Sequence, residues 1–386
     1  MTELTNSQNI TRKVLIVFWP FHQRTIKYNK TPAKFFTNLC IEISYCWCKK
    51  MKISVIIVAY LRKEFIVSAV RSVFEQSLDR EKYEIIVVKN FLDKTIDQIL
   101  VETADKNLYS TEKSLGKKLE LGIINSSGEI ICFLEDDDYY KPGKLETVYK
   151  SFNNTQSLVY LRDSHDTILE FNGEIRNYPF IHHTRSNCIF SLKNASKQDL
   201  ISFFNFDQGN LSSIAIRRSA IIGNQDILSS LPYCFDTFML FSALLTSQTI
   251  FLNKESLTTV RLHSQNWSII AYETERSAFI EHAMNIEHLT MRALDELTKM
   301  CQSTPLEYIS KHLRVESRIR SHILGNRMNL IPYAKDSLFC IKYTLISHKY
   351  SDFMLPIIGL CAFFSPQFSR WLYAKRKVTK LAKILK

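Results

Sequence analysis

Ile53-Ser-Val-Ile-Ile-Val-Ala59 decides the fold, because five of its seven residues are β-branched and no alternation separates an inner from an outer face. Such a run suits a strand buried on both faces, as in a parallel sheet sandwiched between helices. Working outward, Glu64 to Gln76 places Phe65, Ala69, Val70, Val73 and Phe74 on one helical stripe, and Glu84-Ile-Ile-Val-Val88 supplies a second buried strand. Strand, helix and strand with short connections form a βαβ unit, so the two strands should be parallel with a right-handed crossover. The pattern continues with a helix near Thr95 to Thr103, a short strand near Asn107 to Ser110 and a helix from Ser114 to Ser126. Gly128 then breaks the chain before a third buried strand, Glu129-Ile-Ile-Cys-Phe-Leu134. The expected fold class is α/β, a doubly wound, Rossmann-like nucleotide-binding layer whose crevice lies at the carboxyl ends of the strands.

Past Pro142 the pattern predicts a helix to about Phe152, a mixed region to about Ser268, and mostly helix thereafter. Between Arg276 and Met300 the residues Phe279, Ala283, Ile286, Leu289, Ala293 and Leu297 recur at spacings of three and four. Thr304-Pro305 starts another helix, for which Gly325 is the expected stop.

The chain has 386 residues, 46% hydrophobic and 23% charged, which describes a folded chain rather than a disordered one. Its net charge of +12 is unevenly spread. Residues 1–52 carry nine Lys/Arg against Glu3 and Glu42, residues 370–386 carry seven against none, and the remainder holds 34 basic and 36 acidic residues. A nucleic-acid binder would carry its basic residues on the working domain, so that class is set aside; basic ends beside apolar residues favour an anionic membrane surface. Nine cysteines without a CxxC pair read as reduced thiols. No segment reaches the roughly 18 to 20 apolar residues that a membrane span needs. Phe353 to Phe364, interrupted by Pro356 and Gly359 and followed by Arg370-Trp-Leu-Tyr-Ala-Lys-Arg-Lys377, instead suits part-way insertion into one leaflet, with packing against the preceding helices as the alternative. The expected location is the cytoplasmic face of a membrane, peripheral or monotopic. Residues 1–50 show no period and read as a poorly ordered extension or a start assigned too far upstream.

Chemistry concentrates at Leu134-Glu-Asp-Asp-Asp138, four consecutive carboxylates directly after the third strand. A charge run at an arbitrary place is a solvated loop. At the mouth of a strand-end crevice the mutual repulsion calls for a compensating cation, and Mg²⁺ or Mn²⁺ with oxygen ligands supplies it.

In their order and spacing these segments resemble the inverting glycosyltransferase family 2, over about Met51 to Ser268. The resemblance rests on Ser54-Val-Ile-Ile-Val-Ala-Tyr60 with Arg62, Ser72-Val-Phe-Glu-Gln76, Glu84-Ile-Ile-Val-Val88, Gly116-Lys117 through Gly122, and the acidic run standing where the family has Leu-Asp-x-Asp-Asp. It implies a GT-A fold with a donor-binding half at 51–140 and an acceptor half at 141–268; beyond the resemblance, the helical spacing, the apolar run and the basic tail mark 269–386 as a helical, membrane-associating region. The resemblance also implies a nucleotide-sugar donor, a divalent metal and an acceptor that is a lipid-linked or cell-surface glycan. Ala59, Tyr60, Arg62, Asn90, Lys117, Glu135 and Asp136 are the implied donor-binding residues, with Asp137 the chief metal ligand and Asp138 supporting it. Val260-Arg-Leu-His-Ser-Gln-Asn-Trp-Ser268 looks like the family's closing Arg-x-His-x-x-Asn-x-Ser stretch, which assigns Arg261 and His263 to the donor diphosphate.

One departure concerns the end of the second strand, where the family has an Asp that recognises the donor base and this chain has Lys89-Asn90. An ammonium cannot accept a base N–H, so base recognition falls to Asn90 or Asp93 and a uridine donor is not assumed. The family's catalytic acidic residue falls on Asp236, the one carboxylate of Pro232-Tyr-Cys-Phe-Asp-Thr-Phe238, which would take the acceptor proton. Its plainer reading is a helix N-cap before Thr237 to Leu244. Asp207 is the competitor, ranked as an acceptor-side residue. Two other functions are alternatives. A sugar nucleotidyltransferase would need a glycine-rich loop after the first strand, and Tyr60-Leu-Arg-Lys-Glu64 contains no glycine. A non-catalytic membrane-bound scaffold that binds sugar nucleotides is motivated by Lys89-Asn90 and the single carboxylate at Asp236.

Overall fold

In the computed structural model, residues 51–171, 174–182, 186–204, 210–263, 266, 276–348 and 353–385 are described; Asp207 lies outside them. The run Ile53–Ala59 is strand β1, and all seven residues are buried. Helix α1 (Lys63–Phe74) buries Phe65, Ile66, Ala69, Val70 and Val73, and β2 (Tyr83–Lys89) is again buried throughout. There follow α2 (Lys94–Thr103), β3 (Lys106–Tyr109), α3 (Leu115–Ile124) and β4 (Ile130–Glu135). Side-chain oxygens of Asp93 and Ser114 cap α2 and α3, satisfying first-turn N–H groups. Each element lies within about two residues of its expected span, because two-sided burial and capping are both written locally.

β1 pairs in parallel with β2 on one side and β4 on the other, and β3 extends the sheet beyond β2. The chain therefore winds outward from β1 through β2 to β3 and returns across β1 to β4. The crevice at such a reversal opens at the carboxyl ends of β1 and β4. Val58 stands opposite Val88 and Glu135, so the three strands end on one rim.

Two glycines allow the closest approaches. A Cβ on Gly122 of α3 would lie 2.5 Å from Ile56 of β1, and one on Gly128 would lie 2.6 Å from the Ser54 backbone nitrogen. At the second contact Glu84 accepts hydrogen bonds from the Ser54 hydroxyl at 2.5 Å and the Ser127 hydroxyl at 2.9 Å. Burial raises the Glu84 carboxyl, but these bonds and the Ser127 N–H outweigh it and hold it down at about 2.

The remaining strands are mixed in direction. β5 (Tyr139–Tyr140), α4 (Lys144–Asn154), β6 (Leu158–Phe171), β7 (Glu174–His182), β8 (Cys188–Ser191), α5 (Lys197–Phe204), β9 (Ile214–Arg217), α6 (Arg218–Ile221), α7 (Gln225–Ser230), α8 (Phe235–Leu245) and β10 (Thr249–His263) come next. β9 joins β4 and β6 antiparallel, while β6 and β10 run parallel, giving the order β3-β2-β1-β4-β9-β6-β10-β5 with β7 and β8 at the side. The α/β class expected from the sequence is the one observed. A fully buried ion pair, Lys144–Asp163 at 2.6 Å, ties α4 to β6, and the same ammonium donates to Thr258 Oγ1 and to the Ser212 carbonyl.

Among the described residues that follow, five helices are present: α9 (Arg276–Met300), α10 (Glu307–Leu324), α11 (Leu330–Ser347), α12 (Met354–Phe364) and α13 (Pro366–Leu385). Gly325 ends α10 at φ +145°, as expected. The helix after Thr304 begins at Glu307 rather than at Pro305, since the Thr304 hydroxyl instead accepts from the Leu306 N–H. Ala293, Leu294, Leu297 and Ile309 share a core with Phe238 and Phe241 of α8, so these helices extend the core of the sheet's second half. The six cysteines among the described residues are all free thiols.

Candidate functional site

At the end of β1 the chain turns sharply, with Leu61 in the left-handed region at φ 62°. The Asn90 side-chain oxygen holds that turn by accepting the Leu61 N–H at 2.9 Å. The turn directs Arg62 across the rim, where its guanidinium pairs with both Asp136 and Asp137. The Tyr60 N–H adds a bond to Asp136 at 3.3 Å. Part of the compensation for the acidic run is thus a side chain of the protein itself.

The four carboxylates have four different surroundings. Asp138 points inward and accepts from the Ser212 hydroxyl at 2.6 Å, Asn210 Nδ2 at 3.3 Å and the Arg261 N–H at 3.0 Å. Burial, with the charges of Asp137 and Glu135, holds it well above the usual carboxylate range. Asp137 accepts from His263 Nε2 at 3.1 Å and Asn266 Nδ2 at 2.9 Å besides Arg62. Burial opposes its ionisation, but these bonds and charges win and keep it low. Burial carries Asp136 up to about 6 despite Arg62. Glu135 has no hydrogen-bond partner for its carboxylate among the described residues, and burial plus the Asp137 charge push it up to about 8.

Beside Glu135 is a cavity of about 100 Å³ lined by Tyr60, Arg62, Lys118 and Leu134 among others. Lys118 is 1% exposed, lies 4.2 Å from the centre of the Tyr60 ring and has no carboxylate partner among the described residues. Burial pushes its ammonium down to about 8, against the pull of Asp136. Lys117, the lysine expected at the donor, instead lies on the exposed side of α3 and pairs with Glu112 at 3.2 Å. The signal for Lys118 was present: Leu115, Lys118, Leu119 and Gly122 are spaced as one helical face, and that face packs on β1.

His263 is buried at the end of β10, 4.4 Å from the Phe65 ring and against Asp137. Arg261 pairs with Glu170 at 2.9 Å and lies over Phe65, leaving its Nε buried without a partner. Ala59, at the buried end of β1, contributes its backbone to the rim. Lys89 and Asp93 at the end of β2 are both engaged. Lys89 pairs with Asp97 at 2.7 Å, and Asp93 caps α2 and pairs with Lys63. Asp236 is partly buried in the first turn of α8. The N-cap of that helix is Cys234, in the left-handed region at φ 61°, so the capping role read for Asp236 is corrected. Its Oδ1 instead accepts the N–H of Thr237 at 2.8 Å. Burial raises Asp236, and its charge is felt at Glu135.

Among the described residues no three or more His, Cys, Asp or Glu side chains converge as a ready metal site. The Glu135 carboxyl beside Asp137, without a hydrogen-bond partner among the described residues, nonetheless offers the oxygen ligands that a hard divalent ion takes, and such an ion would displace the proton that burial retains there. The three bonds already made by Asp138 suit it to fixing the turn.

Residues 54–210 match the family described as Glycosyl transferase family 2. An uncharacterized glycosyltransferase of Rickettsia conorii is 29% identical over 175 residues, 44% of this chain and 28% of that protein. Others from Rickettsia bellii (32% over 155 residues, 39% of this chain and 22% of that protein) and Nostoc sp. (30% over 112 residues, 27% and 34%) are similar in the same way. The matched segments thus span about a third or less of these relatives' own lengths. Among solved structures, residues 1–349 of S. aureus TarS in complex with UDP-GlcNAc align at 15% identity with a TM-score of 0.49, covering 82% of this chain and 93% of that one.

Proposed function

We propose that this chain, whose residues 54–210 match glycosyl transferase family 2, moves a sugar from a nucleotide-sugar donor to an acceptor hydroxyl in a single inverting displacement. The observation that carries the reading is the cavity at the β1–β4 reversal, where Lys118 and Glu135 face one space with hydrogen-bonding capacity unspent. On this reading residues 51–140 hold the donor and residues 141–268 the acceptor, while the helices from Arg276 onward buttress the second half.

The donor diphosphate lies at the rim, where Lys118, Arg62 and the Arg261–His263 segment supply positive charge and N–H donors. Tyr60 offers a ring face beside them. Asp236 takes the proton of the acceptor hydroxyl as that oxygen bonds to the anomeric carbon. The bond from that carbon to the diphosphate oxygen breaks, and its electron pair leaves with the nucleoside diphosphate. A carboxylate raised by burial is the stronger base, so the raised Asp236 suits this role. Glu135 and Asp137 would hold a divalent ion, which when bound supplies charge neutralisation for the departing diphosphate. Asp138 acts through position, by anchoring the acidic turn to Ser212, Asn210 and β10.

The test is calorimetric binding and nucleoside diphosphate release for a panel of UDP-, GDP- and dTDP-sugars with Mn²⁺ or Mg²⁺, beside Asp137→Ala. The expected result is metal-dependent binding of one nucleotide class that Asp137→Ala weakens by about a hundredfold or more. Folded protein that binds none of them overturns the reading. Binding without turnover favours the scaffold.

A further inference from the structure

Helix α12 is apolar on every side yet packed on only one. Pro356, Ile358, Gly359 and Ala362 face inward. Gly359 lies so close to Tyr333 that a Cβ would meet its hydroxyl at 2.6 Å; that hydroxyl donates to the Pro356 carbonyl, and the Ser369 hydroxyl donates to that of Ile358 at 2.7 Å. These contacts fix the helix's rotation. The opposite side then presents Met354, Ile357, Leu360 and Phe364 to solvent, with Phe364 84% exposed. Phe368 and Trp371 of α13, themselves stacked at 5.8 Å, are also exposed. Contiguous apolar surface of this kind marks an interaction face.

We propose that this face docks on an anionic phospholipid surface. Charge selects the occupant. From Arg370 to Lys386 the chain carries seven Lys/Arg and no acid, and Lys375 lies 4.7 Å from the centre of the Trp371 ring. Two copies meeting through this face would bring their basic segments together, whereas an anionic bilayer neutralises the segment and receives the apolar stripe. Eleven residues of helix extend about 16 Å, roughly half the hydrocarbon thickness, so α12 lies within one interface. No helix among the described residues is long and apolar enough to cross a membrane. The inference is independent of the sugar-transfer reading.

The test is flotation of the full chain with vesicles of phosphatidylglycerol and phosphatidylcholine in equal parts, beside vesicles of phosphatidylcholine alone. Wild type is expected to float with the mixed vesicles only, and less so as salt rises. Ile357→Ser with Phe364→Ser, and separately Lys375→Gln with Arg376→Gln and Lys377→Gln, should each lower partitioning by about a hundredfold. Far-UV circular dichroism checks that each variant keeps the fold, and donor binding measured in solution should not change. Absence of flotation with folded wild type, equal flotation with both vesicle types, or a dimer in solution that Ile357→Ser with Phe364→Ser dissociates would overturn the proposal.

Discussion

The carboxyl ends of β2 and β4 reach the same rim from opposite sides of β1, and both carry charged residues. At the end of β2, Lys89 is folded back on the protein: its ammonium donates to the Phe91 carbonyl at 2.7 Å, pairs with Asp97 and lies over the Phe91 ring. At the end of β4, Glu135 has no such partner among the described residues, and the nearby Lys118 lies over the face of Tyr60 with no carboxylate at ion-pair distance among them. A charge at a strand end becomes a binding group only when its own fold leaves it unspent. A satisfied ion pair such as Lys89–Asp97 has little left to offer a ligand.

Three substitutions sharpen or break this contrast. Asp236→Asn is expected to lower turnover by about 10²- to 10⁴-fold with donor binding unchanged. Because burial raises the Asp236 carboxyl, wild-type kcat/KM should fall on acidification through a limb above the ordinary carboxylate value, and the variant should lack that limb. An unaltered pH profile would remove Asp236 from the chemistry. Lys118→Met is next in size. It should weaken the donor by about ten- to a hundredfold, measured by calorimetry, with little change in melting temperature, because the charge removed has no carboxylate partner. Lys89→Met should show the reverse, a stability loss of about 1–2 kcal/mol by urea denaturation with donor affinity intact; solvent at the partly exposed Asp97 limits the cost. If Lys89→Met weakens the donor as much as Lys118→Met does, the two strand ends are not different in kind.

The strands and helices of the first half were legible because both burial of a whole strand and an apolar helical stripe are periodic along the chain. The acidic run was legible by position. Its division of labour was not: Asp136, Asp137 and Asp138 are identical in sequence, and only the neighbours brought by Arg62, His263 and Ser212 separate them. Asn266 lies in the Arg-x-His-x-x-Asn-x-Ser stretch, but its bond to Asp137 depends on where β10 ends. Ser212 gave no signal at all, being a hydroxyl in a short turn before β9. Lys117 and Lys118 are adjacent and alike in sequence, and only the packing of α3 on β1 buries Lys118 and leaves Lys117 outside.

At the other end of the chain, composition marked 353–364 as apolar and the tail as basic, yet it did not distinguish a core helix from a surface one. Only the packing of Tyr333 and Ser369 against one side of α12 shows which apolar residues remain outside. The sequence by itself determined the α/β layer, the rim where its strands end and the concentration of carboxylate there, since each follows from local pattern. The tertiary structure decided which charges are paired, which way Lys118 points and which side of α12 is uncovered. Those depend on partners far apart in the chain, and a side chain's remaining capacity to bind is whatever those partners leave.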